Sequence, residues 1–158
     1  INLHLAAEPY HLSSSDLANI YMVYLIGMVI TPLSTQIIGR LGAKKTVLMA
    51  VSVSMVGVLG TLSVPLWGIV LALAIMSTGV FITQAATISY IAKNVTQNRS
   101  LASGLYYMGY YTGGTIGATV CGLAYARGAW GMTVLTLLAV QVFALLVASY
   151  IMVARKAS

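Results

Sequence analysis

The sequence predicts an all-α membrane protein, a multi-pass bundle of helices, and three observations carry that prediction. Of its 158 residues 59% are apolar and only 6% are charged, against roughly 25% charged in an ordinary soluble domain. The mean hydropathy is +0.94. Setting aside Asp, Glu, Lys and Arg leaves four uncharged runs: Leu17–Gly39, Thr46–Ala92, Ser100–Ala126 and Gly128–Ala154. A helix needs about 20 predominantly apolar residues to cross the hydrocarbon core. Three of these runs therefore hold one helix each, and Thr46–Ala92 is long enough for two.

The expected helices cover about 17–38, 46–63, 66–92, 101–126 and 130–154. Ser13-Ser14-Ser15-Asp16 reads as the N-cap region of the first, because a hydroxyl there accepts from free backbone N–H groups. Pro32 lies inside it and is expected to kink it. Ser63-Val64-Pro65-Leu66-Trp67 divides the second from the third. Pro65 suits a helix start and Trp67 the membrane interface. Residues 1–7 are apolar apart from Asn2 and His4 and too short to span. They read as the last turns of an earlier helix, so the chain is expected to begin inside a larger protein.

The composition excludes several functions. A soluble domain, a disordered tail and a coiled coil are incompatible with it. One Cys allows no disulfide framework within the chain. With 2 acids and 2 His in the whole chain, an integral-membrane enzyme lacks the catalytic cluster it would need. The residues imply no cofactor. His4 and His11, separated by Pro9, make a poor metal site. The net charge of +6 does not indicate nucleic acid, because the cations stand singly or in pairs between apolar runs.

The cations set an orientation. Alternating spans put Arg40, Lys44, Lys45, Lys93, Arg99, Arg155 and Lys156 on one side, and Arg127 with both acids, Glu8 and Asp16, on the other. By the positive-inside rule the first side is cytoplasmic, and so is the C-terminus. The tripeptides Asn94-Val95-Thr96 and Asn98-Arg99-Ser100 then face the cytoplasm, where they are not glycosylation sites. No Asp, Glu, Lys, Arg or His lies within the five expected spans. Such groups are the usual proton relays, so a titrating residue is expected upstream of Ile1.

Two stretches carry further information. The first is Gly39-Arg40-Leu41-Gly42-Ala43-Lys44-Lys45. Its glycines permit a tight turn, and its basic residues suit a helix C-terminus. The second is Leu105–Gly117 on the fourth helix, where Gly109, Gly113 and Gly117 recur every fourth residue beside a second row of Gly114, Ala118 and Gly122. Rows of small residues permit close helix packing in lipid. They equally suit a helix that bends or slides during a conformational cycle, and both readings stay open. On the third helix Thr83 and Thr87 share a face with Gln84 beside it, and on the fourth Tyr107 aligns with Tyr111 and Tyr106 with Tyr110. Such groups either line a cavity or bond between helices. Gln141 is expected to bond between helices, and Cys121 to pack as a small apolar residue.

The 39–45 loop resembles the short basic loop motif of the major facilitator superfamily, Gly-x-x-x-Asp-Arg-x-Gly-Arg-Lys. Arg40, Gly42 and Lys44 match, while Thr35, Gly39 and Ala43 replace the first Gly, the Asp and the second Arg. Together with Ile82–Lys93, Tyr106–Ala126 and Arg127-Gly128-Ala129-Trp130, it makes nearly the whole chain resemble the C-terminal half of such a transporter, from the end of helix seven to helix twelve. The nearest likeness is to bacterial efflux proteins of the drug:proton antiporter type.

The resemblance implies a multi-pass protein of the cell inner membrane that moves a small-molecule substrate by alternating access against a missing N-terminal half. Its two three-helix repeats would be 1–63 and 66–154. Its substrate cavity would be lined by Thr83, Gln84, Thr87, Tyr107, Tyr110 and Tyr111. The alternative is a structural or sensory membrane module of the same fold.

Overall fold

A computed structural model describes residues 1–63 and 65–154. Arg155 and Lys156, two of the seven cations assigned to one side, lie outside the described residues. The chain is all-α, with no strand among the described residues. Its helices are α1 (Asn2–Ala6), α2 (Ser14–Tyr21), α3 (Ile26–Gly60), α4 (Leu66–Asn94) and α5 (Arg99–Ala154). A short 3-10 turn, Met22–Leu25, joins α2 to α3. Three helical runs are long and apolar enough to cross a membrane: Ser14–Gly60, Leu66–Asn94 and Arg99–Tyr150.

Two of these runs contain a break, and each break falls where the sequence places a loop. Inside α3 Gly42 leaves helical geometry (φ 77°, ψ 153°). Inside α5 Gly128 (φ −153°, ψ 33°) and Ala129 (φ 52°, ψ −150°) do so. The breaks divide α3 and α5 into two segments each, which with α4 makes five helical segments. The turns are shorter than expected: residues 39–45 stay helical except at Gly42, so one glycine with positive φ carries the break. Pro32 keeps helical dihedrals, and the departure in α3 is at Gly42 instead.

The expected cap is present. Ser13 Oγ accepts from the Asp16 N–H at 3.3 Å, and the Asp16 carboxylate accepts from the Ser13 N–H at 3.1 Å. Two free backbone donors are thus satisfied reciprocally at the start of α2. Pro65, with extended backbone, stands immediately before the first residue of α4, and Trp67 in that first turn is 73% exposed.

The tightest packing joins residues 43–60 of α3 to α4. Ala50, Ser54, Gly57 and Thr61 are buried on the first, and Ala72, Gly79 and Ala86 on the second. The seven-residue spacing from Ala50 to Gly57, and from Ala72 through Gly79 to Ala86, keeps small residues on one seam. A Cβ added at Gly57 would lie 2.5 Å from the Met76 backbone nitrogen, and one at Gly79 would lie 2.8 Å from Ser54 Cβ. Backbones in this seam therefore touch directly, the arrangement that substitutes for water expulsion in lipid. The 130–154 part of α5 joins it through Val134, which packs with Val58 and Trp130, and through Gln141, whose Nε2 donates to Ser54 Oγ at 2.9 Å. The expected interhelical role of Gln141 is met.

Candidate functional site

Three regions collect the residues singled out from the sequence, and they lie on different parts of the bundle. The first is residues 105–119 of α5. Four tyrosine rings form a ladder there: Tyr106–Tyr107 and Tyr110–Tyr111 centroids are each 5.4 Å apart, and Tyr107–Tyr111 stack at 6.3 Å. Tyr107, Tyr110 and Tyr111 are all exposed, Tyr111 by 66%. Tyr110, Tyr111, Gly114, Thr115, Ala118 and Thr119 line an open groove of about 690 Å³. All six residues belong to α5, so the groove has one wall among the described residues. A Cβ at Gly109, Gly113, Gly114 or Gly117 would meet nothing within 4 Å. Within the described residues no neighbour occupies this glycine face.

Thr83, Gln84 and Thr87 lie on α4 and are half-buried. The hydroxyl of Thr87 donates to the Thr83 carbonyl, and that of Thr83 to the Gly79 carbonyl, both at 2.8 Å. These bonds stay within one helix, so the hydroxyls are satisfied without a partner helix and keep a lone pair for another donor. No hydrogen bond or ring contact joins this set to the α5 tyrosines among the described residues. The six expected cavity residues thus form two groups in this chain.

The third region is the 39–45 turn. Gly39, Arg40 and Lys45 are exposed and Lys44 is half-buried. The Gly42 carbonyl accepts from Thr46 Oγ1 at 2.8 Å, and Thr46 is fully buried. This bond anchors the turn to the start of the next helical segment. The turn shares a cavity with the C-terminal end of α4, where Lys93 lies, so these cations meet at one end of the bundle.

The opposite end holds a cluster that sequence reasoning missed. The Trp130 indole N–H donates to the Thr61 carbonyl at 3.2 Å and to its hydroxyl at 3.1 Å. The His4 ring stacks on Trp130 at 5.2 Å and meets Tyr10 edge-on at 5.5 Å. The Tyr125 hydroxyl donates to the Leu3 carbonyl at 3.1 Å. These contacts tie α1, the end of α3 and the break in α5 into one knot. The signal was present in the text: a Trp just after a Gly-Ala turn, in a chain poor in polar groups, needs an acceptor once buried. Gly79 shares a face of α4 with Thr83 and Thr87, and the structure turns it toward Ser54; Gly57 carried no signal of its own in the sequence, because it stands in a seven-residue row with Ala50 and not in a four-residue glycine row.

Comparison with known proteins places the molecule. The family model for the Major Facilitator Superfamily matches residues 1–158. The chain is similar to "Uncharacterized MFS-type transporter YybF" of Bacillus subtilis (strain 168), 26% identical over 126 residues, 80% of this chain and 31% of that protein. It is also similar to an "Uncharacterized transporter" of Buchnera aphidicola subsp. Baizongia pistaciae (strain Bp), 24% identical over 130 residues, 82% of this chain and 32% of that protein. The chain spans about a third of the length of these relatives. No solved structure matches it. With long apolar helices, a degenerate basic loop of the expected form at Gly42 and a family match from end to end, the chain is a multi-pass membrane protein that belongs to the Major Facilitator Superfamily.

Proposed function

We propose that the chain is the C-terminal half of a secondary active transporter that exports a small molecule by alternating access. The observation that carries this reading is the unpartnered groove of α5. Tyr110 and Tyr111 stand exposed beside Gly113, Gly114 and Gly117, and nothing among the described residues covers them. An aromatic wall beside a smooth glycine surface suits both a substrate cavity and a sliding contact with a second half. The relatives are transporters by name, and the chain spans only 31–32% of their length, which leaves room for that half.

Thr83, Gln84 and Thr87 complete the cavity when the second half is in place. The repeat boundary falls in the turn between α3 and α4, giving repeats 1–63 and 66–154. The end bearing Arg40, Lys44, Lys45, Lys93 and Arg99 faces the cytoplasm. A cysteine placed at Ser13 then labels from outside and one at Gln97 does not, and the reverse pattern overturns the orientation.

The test of function is transport by the full-length protein in proteoliposomes, with ethidium as the lipophilic probe and an imposed pH gradient as the driving force. Gradient-driven movement of the dye, reduced at least about tenfold in Tyr111→Ala at normal protein content, is expected. Movement independent of Tyr111 removes the groove from the pathway. Absence of movement for ethidium and for a panel of neutral and anionic probes favours a sensory module.

A further inference from the structure

The end of the bundle that carries the Gly42 turn contains a cavity that the transport reading does not use. It has a volume of about 410 Å³ and lies between the 39–45 turn and the last turn of α4. Lys44 and Lys45 line it from the turn, Lys93 and Asn94 from α4, with Tyr90 and Ile38 toward the helices. We propose that this cavity binds the phosphate headgroup of an anionic glycerophospholipid, with the three lysines on the phosphate and Ile38 beside the start of the acyl chains.

Charge complementarity argues for an anion. Three lysines line one cavity, yet the only acids of the chain, Glu8 and Asp16, belong to the other end. Both are engaged there: Asp16 accepts from Ser13 Oγ at 2.6 Å, and Glu8 lies 4.0 Å from His11 Nε2. The three lysines therefore have no carboxylate counter-ion among the described residues. The Asn94 side-chain nitrogen donates to the Tyr90 carbonyl at 2.8 Å, closing the end of α4 and holding Asn94 beside Lys93. A left-handed glycine opens the other wall, and a Cβ at Gly39 or Gly42 would meet nothing within 4 Å.

Location argues for a lipid as the source of that anion. The cavity sits at the Gly42 break inside one membrane-length run and at the C-terminal end of another, Leu66–Asn94, where a turn between two spans is expected to meet headgroups. Its lining mixes lysines with Ile38 and Leu41. Basic pockets between transmembrane helices are suited to anionic headgroups, and lysine stems can follow apolar surface while their charges reach phosphate. The proposal rests on the chain spanning a membrane and not on transport, so failure to move a solute leaves it standing.

The experiment is native mass spectrometry of the full-length protein released from nanodiscs of equal phosphatidylethanolamine and phosphatidylglycerol. Wild type is expected to retain phosphatidylglycerol preferentially. Each Lys→Gln change at Lys44, Lys45 and Lys93 should reduce retention about fivefold. The Lys→Arg changes should keep it, and Arg127→Gln at the opposite end should not alter it. No preference in wild type, or equal retention in the triple Lys→Gln variant, overturns the site. If the triple variant does not fold, the single Lys93→Gln variant decides by the same measure. Competition by sn-glycerol 3-phosphate as effective as by the intact lipid would overturn the lipid assignment in favour of a soluble phosphate.

Discussion

Trp130 donates its indole N–H to both oxygens of Thr61, a residue 69 positions earlier in the chain. Thr61 ends the tight α3–α4 seam, and its own hydroxyl donates to the Val58 carbonyl at 2.6 Å. Trp130 follows directly on the break in α5. One side chain thus fixes where the last helical segment starts relative to that seam. Trp130→Phe keeps most of the apolar volume and removes the donor. It should cost about 1–3 kcal/mol, because the indole bond is lost and the Thr61 oxygens stay buried. Thermal unfolding in detergent measures this, and an unchanged midpoint would show that the knot does not hold the bundle.

The glycines of this chain fall into two sets with opposite expected behaviour. Gly57→Ala and Gly79→Ala each force a methyl group against backbone of the facing helix, with Met76 N at 2.5 Å in the first case and Ser54 N at 2.8 Å in the second. Overpacking of this kind costs about 1–3 kcal/mol, and a lower melting temperature is expected for both. Gly113→Leu and Gly117→Leu meet no atom of this chain within 4 Å of the added Cβ. On the proposed reading they obstruct the second half, so the full-length protein should lose stability or transport, while Leu135→Ala on an exposed position should be mild. Wild-type stability and rate in both Leu variants would mean that the strip faces lipid.

Backbone geometry at the two breaks gives a paired expectation of opposite sign. Gly42 has φ 77° and Ala129 has φ 52°, a region that favours glycine and costs other residues about 1–3 kcal/mol. Gly42→Ala should therefore destabilise the 39–45 turn by that amount. Ala129→Gly should relieve strain, partly offset by the roughly 0.5–1 kcal/mol entropic penalty of a glycine, and a small rise in melting temperature is expected. A fall for Ala129→Gly would mean that the methyl group contributes packing that outweighs the strain.

The class of molecule and the order of its parts follow from the amino-acid sequence alone. Lipid imposes a length and a polarity on every span, so uncharged runs and the cations between them reveal helices and turns without any knowledge of packing. Ser13 with Asp16, Pro65 before α4, Gly42 and Gly128 were legible because capping and chain reversal depend on residues close in sequence. The long-range role of Gln141 was legible too, since an amide buried in an apolar bundle has few other options. The identities of the partners emerge only from the folded arrangement. The pairings of Trp130 with Thr61, Gln141 with Ser54, and Gly79 with the Ala50–Ser54 backbone join residues from 25 to 87 positions apart. Nothing in local spacing fixes which of several glycine rows meets a neighbour. In lipid that choice comes from steric fit between whole helix faces, and fit exists only once both faces are assembled.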